Sequence, residues 1–324
     1  MNTIDLFCDP RNLISEQMQF PQGEPEMTEF ESAFLCGLIK AKKPRKIVEV
    51  GVAAGGTTAI ILQCLEMLGL NETSELYSVD ICELFYRGNG EKTGYLAEIA
   101  KDKLDSTFQH KYYLGKTLPS VLDEIGMGVD FVILDTTHSL PGEVLEFLAI
   151  YPYLSLDACV VLHDIANNHY GRYAEAFATQ LLMDSVVAEK IVQTDSTRAH
   201  GYPNIGAFVI NKDTPKYLED VFRSLMVTWN YIPSRQEFES YLSSVLMHYD
   251  SQFYNLLNKI YLLQTETNKK HVGQEIGQDT IPEWRKSTSY MIGRTITYIP
   301  RKIKQMLNYY RRPPNKVGGV NEVR

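Results

Sequence analysis

The chain has 324 residues, of which 44% are hydrophobic and 22% are charged, a composition that excludes disordered and fibrous classes. Its five cysteines form no CxxC pair, which argues against a disulfide framework or a zinc ribbon. The formal net charge is -8, but residues 284–324 carry ten basic side chains and one acidic one, against 22 basic and 39 acidic side chains in residues 1–283. An acidic body argues against nucleic acid as a partner. With no signal-peptide pattern and no apolar run of about 20 residues, we expect a cytoplasmic protein.

Strand-like runs alternate with helical patterns through residues 26–212, which predicts a Rossmann-like α/β domain. Its sheet should be doubly wound and mostly parallel, with helices on both faces. The predicted strands are Lys46–Val50, Leu76–Asp80, Lys111–Leu114, Asp130–Leu134, Ala158–Leu162 and an antiparallel edge pair, Val186–Gln193 with Ile205–Ile210. The predicted helices cover 26–41, 57–69, 93–104, 117–126, 141–150 and 171–184.

Three further segments flank this domain: an N-terminal extension (1–25), a helical extension (213–265), and a linker with a basic amphipathic tail (266–324). Apolar residues three or four apart predict one helix over 234–265, either packed on the domain or forming a homodimer. The tail is suited to peripheral contact with the inner face of a membrane. The alternatives are that it covers the acidic body or binds another protein.

A glycine-rich turn follows the first predicted strand, in the order Glu49-Val50-Gly51-Val52-Ala53-Ala54-Gly55-Gly56-Thr57. Glycines there allow a tight turn and close approach of a ligand to the backbone, and the following helix offers free N–H groups. The spacing differs from the dinucleotide pattern GxGxxG. Asp80 ends the second strand, where a carboxylate can accept both hydroxyls of a ribose.

Four motifs in this order resemble those of class I S-adenosylmethionine-dependent methyltransferases, in the small-molecule O-methyltransferase and cephalosporin-hydroxylase-like group. They are Glu49–Thr58, Tyr77–Asp80, Asp130–His138 and Val160–Asp164. The resemblance implies S-adenosylmethionine as cofactor, with the ribose on Asp80 and the adenine near the turn 115–117. The cofactor-binding residues that it implies are Glu49, Gly51, Ala53, Gly55, Thr57, Asp80 and Asp135.

The candidate reaction centre lies where the fourth and fifth strands end. Asp135, His163 and Asp164 should face one crevice there, because parallel strands end at the same edge. Asp135 and Asp164 could bind Mg²⁺ or another divalent cation, with His163, Asn167 or water as the third ligand, and a histidine ligand favours manganese or iron. Alternatively, His163 acts as a general base oriented by a carboxylate. His138 is a further candidate base or substrate ligand, so His163, Asp135 and His138 are the predicted catalytic residues.

The function predicted from these features is O-methylation of a hydroxyl on a small molecule, with or without assistance from a divalent metal. A sugar or glycoconjugate is the expected acceptor, because Ile299–Lys304 resembles segments beside bacterial glycosyltransferase domains. Two alternatives stay open. One is a nicotinamide-dependent oxidoreductase, and the other is a catalytically silent binding module recruited to a membrane.

Overall fold

The computed structural model describes residues 27–88, 90–104, 107–170, 175–193 and 201–275. The predicted N-terminal extension and residues 276–324, which hold the basic tail, lie outside the described residues. Across the described ranges, no helix combines the length and apolar character needed to cross a bilayer.

Helices and strands alternate through the first two thirds of the chain, and helices follow. The strands are β1 (Lys46–Val50), β2 (Glu75–Asp80), β3 (Gln109–Leu114), β4 (Val129–Leu134), β5 (Leu154–His163), β6 (Glu189–Ile191) and β7 (Ile205–Val209). The helices are α1 (Glu29–Lys42), α2 (Gly56–Met67), α3 (Tyr95–Lys101), α4 (Leu122–Ile125), α5 (Gly142–Ile150), α6 (Ala178–Ser185), α7 (Leu218–Ser224), α8 (Arg235–His248) and α9 (Ser251–Glu275).

All seven predicted strands are present in one sheet of order β3-β2-β1-β4-β5-β7-β6. Strands β1 to β5 run parallel, whereas β7 is antiparallel to both β5 and β6. The predicted antiparallel pair is therefore confirmed. The strand order reverses between β1 and β4, and a ligand crevice in such a sheet lies outside the carboxyl ends of these strands.

Alternate residues of the central strands face opposite layers of helices. Residues such as Ile47, Phe131 and Val161 pack with α1, α2 and α3. Their neighbours Val48 and Val132 pack on the other face with α4 to α9. The prediction of a doubly wound sheet covered on both faces is confirmed.

Three predicted helices differ from the structure. The segment 117–126 is a 3-10 turn (Leu118–Ser120) followed by the short α4, and the helix predicted over 171–184 begins only at Ala178. Residues 171–174 lie outside the described residues. The single helix over 234–265 is wrong, because α8 ends at His248 and Tyr249 is extended. The Tyr249 hydroxyl donates a hydrogen bond to the carbonyl of Leu148 on α5, at 2.6 Å, which holds the chain at this break.

The second helix of this pair, α9, continues to Glu275, which is ten residues into the segment predicted as a linker. The apolar stripe along α8 and α9 packs on the domain: Phe238, Leu242, Val245 and Ile260 are buried in the same core as the sheet. Leu263, at the end of the stripe, is 50% exposed. Packing on the domain therefore accounts for most of the predicted stripe.

Candidate active site

The glycine-rich loop begins where β1 ends, and its first residue requires glycine. Gly51 has a φ of 93°, and its N–H donates to the carbonyl of Val79 at 2.9 Å. A Cβ atom at Gly51 would lie 2.7 Å from the backbone carbonyl carbon of Asp135, and closer still to its oxygen. The close approach of the β1 and β4 ends thus depends on the absence of a side chain at position 51.

Asp80 joins this loop to the end of β2. Its Oδ2 accepts hydrogen bonds from the amides of Val52, at 2.9 Å, and Ala53, at 3.0 Å, while its Oδ1 accepts from the amide of Cys82, at 2.7 Å. The amide of Lys116 donates to the Asp80 carbonyl at 3.2 Å, so the turn predicted near the adenine lies beside it. A carboxylate offers about four acceptor positions. Two accept from the loop and a third accepts from Cys82, so binding both ribose hydroxyls would require one amide bond to be shared or released.

The far half of the loop is covered by the start of α3. The amides of Gly94 and Leu96 donate to the carbonyls of Ala53 and Ala54, each at 2.9 Å. A Cβ atom at Gly55 would lie 2.8 Å from the Cα atom of Gly94. Gly55 and Thr57 are accordingly buried, whereas Gly51, Ala53, Asp80 and Asp135 are partly exposed. The glycine-to-glycine contact had no signal in the sequence, because residues 55 and 94 meet only in the folded chain.

Glu49, which was predicted to bind the cofactor, lies beneath the loop and is fully buried. Its Oε2 accepts hydrogen bonds from Thr58 on α2, at 2.7 Å, and from Ser78 on β2, at 2.6 Å. Burial raises the pKa of Glu49 to about 7, although these two hydrogen bonds act in the opposite direction. Its contacts are those of a group that supports the loop from below.

Three side chains meet at the carboxyl ends of β4 and β5: Asp135, His138 and Asp164. One ligand atom from each lies within 4.8 Å of the others, so the group could hold a metal ion. The Nε2 atom of His138 is 3.0 Å from Oδ2 of Asp164 and 3.8 Å from Oδ1 of Asp135. Two carboxylates and an imidazole nitrogen are a donor set for a divalent cation.

His163 occupies a different position from the one that the sequence suggested. Its side chain is only 5% exposed and lies behind Asp135, with Nδ1 at 3.1 Å from the Asp135 Oδ1 atom. Its Nε2 atom is 3.5 Å from Oε2 of Glu31, in the first turn of α1. His138 therefore takes the place that was predicted for His163 in the three-ligand group. Alternation along β5 explains the difference, since position 163 faces the α1 layer with Cys159 and Val161.

A buried glutamate also stands behind His138. Glu143, which is fully buried at the start of α5, accepts a hydrogen bond from the His138 amide at 2.6 Å. The Nδ1 atom of the His138 ring is 3.3 Å from the same carboxylate oxygen. Burial alone would lower the pKa of His138, but the carboxylates of Glu143, Asp164 and Asp135 raise it to about 9. The ring is consequently protonated at neutral pH when no cation is bound.

The pKa of the second histidine is raised for the same reason. Burial alone would lower the pKa of His163, yet the carboxylates of Asp135, Asp164 and Glu31 raise it well above its ordinary value. Burial alone would raise the pKa of Asp135, but its interaction with His163 outweighs this effect, and the pKa lies below its ordinary value. Each imidazole has three carboxyl groups within 4 Å, and four carboxyl side chains in all surround the two rings. Such a set of carboxyl groups favours a divalent cation.

Backbone strain is concentrated at this crevice. Among the described non-glycine residues, Ala53, His138 and Asp164 have φ values of 50°, 57° and 58°, in the left-handed region. Only Lys43 and Asp157 share this feature in the described residues. Asp164 is held in place by Asn204, whose Nδ2 donates to its Oδ1 at 2.6 Å, and by Asn167, at 3.1 Å. Strained residues fixed by such partners are typical of functional sites.

Sequence reasoning missed the supporting residues Glu31, Glu143 and Asn204. A signal existed for Glu31, because Thr28-x-x-Glu31 has the spacing of a capping box, and the structure contains one. That pattern predicts a helix start but gives no indication that the glutamate reaches a strand end. For Glu143 and Asn204 the sequence offered no comparable pattern.

Residues 48–165 match the model of a protein family described as "Methyltransferase domain". This segment is a methyltransferase domain. The predicted enzyme class is thereby confirmed, and the match covers the glycine-rich loop, Asp80 and the Asp135–His138–Asp164 group. No curated protein matches the chain.

Several solved structures resemble the methyltransferase domain in fold at low sequence identity. The O-methyltransferase TomG of Streptomyces achromogenes, involved in tomaymycin synthesis, is 14% identical over 58% of this chain and 82% of its own, with a TM-score of 0.43. An O-methyltransferase of Bacillus cereus is 14% identical over 58% and 84%, with a TM-score of 0.41. A TDP-rhamnose 3′-O-methyltransferase of calicheamicin biosynthesis is 17% identical over 54% and 75%, with a TM-score of 0.39. These scores are too low to carry an argument about substrate.

Proposed function

We propose that the protein is an S-adenosylmethionine-dependent O-methyltransferase whose reaction centre is assisted by a divalent cation. The observation that carries the proposal is the adjacency of two features at the switch point of the sheet. The glycine-rich loop is fastened to Asp80 there, and the Asp135–His138–Asp164 group follows the neighbouring strands. A methyl donor held by the first feature would face an acceptor held by the second.

Binding of the donor is proposed to involve the partly exposed part of the loop. Gly51 and Ala53 would contact the methionine portion, and the remaining acceptor position of Asp80 would take a ribose hydroxyl. The protonatable Glu49 beneath the loop fixes the start of α2 through Thr58. Together these residues would bind the donor and orient its activated methyl group.

Asp135, Asp164 and Nε2 of His138 fit a divalent cation, since two oxygen donors and one nitrogen donor converge within 4.8 Å of one another. When bound, the cation would lower the pKa of a coordinated acceptor hydroxyl. Glu143 would orient His138 through the opposite ring nitrogen, as carboxylates commonly do for histidine ligands. His163 would remain outside this set and support Asp135.

His138 alone is a weak candidate for the general base. With a pKa of about 9, its ring already carries a proton at neutral pH. A base must be unprotonated to accept the acceptor's proton. Coordination of a cation at Nε2 would likewise require loss of this proton, which the positive charge of the cation would favour. In the transfer itself, the acceptor oxygen forms a bond to the methyl carbon as the carbon–sulfur bond breaks, and the hydroxyl proton leaves to solvent.

The acceptor is proposed to be a hydroxyl of a small molecule, with a sugar as the first class to test. Support for a sugar comes from the short resemblance in the tail, which lies outside the described residues. Membrane contact, homodimer formation and a cytoplasmic location stay predictions from the sequence.

Calorimetry with S-adenosylmethionine tests the cofactor assignment. Asp80→Asn should weaken binding by about tenfold or more, because a charge-assisted hydrogen bond contributes about 1.5–3 kcal/mol. Asp102→Asn, at an exposed position after α3, removes the same charge and should leave affinity unchanged. A wild-type protein that shows no saturable binding would refute the proposal.

Methyl transfer to a panel of sugar and phenolic hydroxyls, with and without Mg²⁺ or Mn²⁺, tests the reaction centre. Asp164→Asn should abolish the dependence on the cation and lower turnover, while affinity for S-adenosylmethionine stays within about twofold. Turnover by the wild type that persists in the presence of a strong chelator would contradict cation assistance without affecting the cofactor assignment.

A further inference from the structure

We infer that Glu31 is a positioning residue, an inference that rests on the proposed function. From the first turn of α1, it holds the His163 ring against Asp135, and so fixes a carboxylate of the reaction centre. Helix α1 precedes the matched methyltransferase segment, which begins at residue 48. The reaction centre would thus depend on an element outside that segment.

The chain of contacts runs from the start of α1 to Asp135, and Glu31 and His163 are buried within it. Glu31 is fully buried, and its Oε2 atom accepts a hydrogen bond from the Thr28 amide at 2.7 Å. The same oxygen is 3.5 Å from Nε2 of His163, and Nδ1 of that ring is 3.1 Å from Oδ1 of Asp135. The backbone amide of Thr28 therefore helps to fix the carboxylate that faces the histidine.

Two carboxylates at opposite ring nitrogens restrict rotation of the His163 imidazole. The side chain is 5% exposed, so bulk water has little access to replace either partner. Without the charge of Glu31, the ring would lose the interaction on its Nε2 side, and its hydrogen bond to Asp135 would be free to reorient. Outer-shell partners of this kind typically change activity or ligand affinity by about 10–100-fold when they are removed.

Glu31→Gln is the central test, with Thr28→Ala as its matched control. The glutamine keeps an oxygen that can accept from the Thr28 amide, but it carries no charge. Thr28→Ala removes the side chain that accepts from the Glu31 amide, at 3.3 Å, and keeps the Thr28 amide that binds the glutamate. Loss of helix capping and loss of the His163 contact are thereby separated.

We expect Glu31→Gln to lower kcat by about tenfold or more, with KM and Kd for S-adenosylmethionine within about twofold of wild type. Thr28→Ala should lower Tm and leave kcat unchanged. Should Glu31→Gln fail to fold, Glu31→Asp is compared with Thr28→Ala instead. The shorter side chain keeps the negative charge at the start of the helix but is too short to contact His163. Equal losses of kcat in Thr28→Ala and Glu31→Gln would overturn the inference.

A measurement independent of turnover uses ¹⁵N-histidine-labelled protein. The ring Nδ1–H signal of His163, assigned by its loss in His163→Asn, should be protected from solvent exchange in the wild type and in Thr28→Ala. In Glu31→Gln it should exchange faster or broaden. If the wild type neither binds S-adenosylmethionine nor transfers methyl groups, the proposed function fails, and the ring signal still decides the positioning role. An unchanged signal in Glu31→Gln then overturns it.

Discussion

Alanine at position 51 would test the close approach of β1 and β4 that shapes the crevice. Gly51 has a φ of 93°, and an added Cβ would lie 2.7 Å from the backbone carbonyl carbon of Asp135. Because the obstacle is backbone, no side-chain rotation can relieve it. Either the ends of the two strands separate or the loop moves away from Asp80.

The expected cost has two parts. A left-handed backbone at a non-glycine residue costs about 1–2 kcal/mol. Forcing an extra methyl group into a filled space costs about 1–3 kcal/mol more. We therefore expect Gly51→Ala to lower the free energy of unfolding by about 2–5 kcal/mol. Displacement of the Asp135 backbone should also reduce turnover of any folded protein.

Gly128→Ala measures the cost of the left-handed backbone alone, because Gly128 has a φ of 84° and a Cβ added there would have no atom within 4 Å. Urea unfolding of wild type and both variants gives the comparison, and the clash should appear as an extra loss of about 1–3 kcal/mol in Gly51→Ala. Equal losses, within about 0.5 kcal/mol, would refute the argument that the strand ends require glycine there.

Two further predictions concern the loop. Glu49→Gln should change the pH dependence of stability: the pKa of Glu49 is about 7 in the folded protein against an ordinary 4.5, so wild-type stability falls as pH rises from about 4.5 to 7. The variant should not show this loss of about 3 kcal/mol in the free energy of unfolding. Urea unfolding between pH 4.5 and 7 measures it, and a wild type and variant with the same pH dependence of stability would contradict the prediction. Gly94→Ala should cost about 1–3 kcal/mol and weaken cofactor binding, because its Cβ would lie 2.7 Å from the Tyr112 hydroxyl. Gly90→Ala is the control, because Gly90 has a φ of 111° and a Cβ added there would have no atom within 4 Å. Equal losses of stability in the two variants would exclude a clash with Tyr112 as the cause.

The sheet, the glycine-rich loop and the carboxylates at the strand ends could all be predicted from the order of residues. Runs such as Lys46–Val50 are recognisable because strand burial leaves a local pattern, and Gly51 because a tight turn after a buried strand needs its conformational freedom. Asp80 and Asp135 followed from their positions, since the carboxyl ends of parallel strands meet at one edge.

The choice of histidine beside Asp135 and Asp164 depended on the folded chain. His163 turns towards α1 and Glu31, whereas His138 reaches the carboxylates from a strained loop. The break between α8 and α9 was equally hidden, because a hydrogen bond from Tyr249 to a distant helix holds it. The cause is the same in each case. Local pattern specifies which face of an element is buried, while the partners of a charged or strained residue come from segments that are distant in the chain and adjacent only after folding.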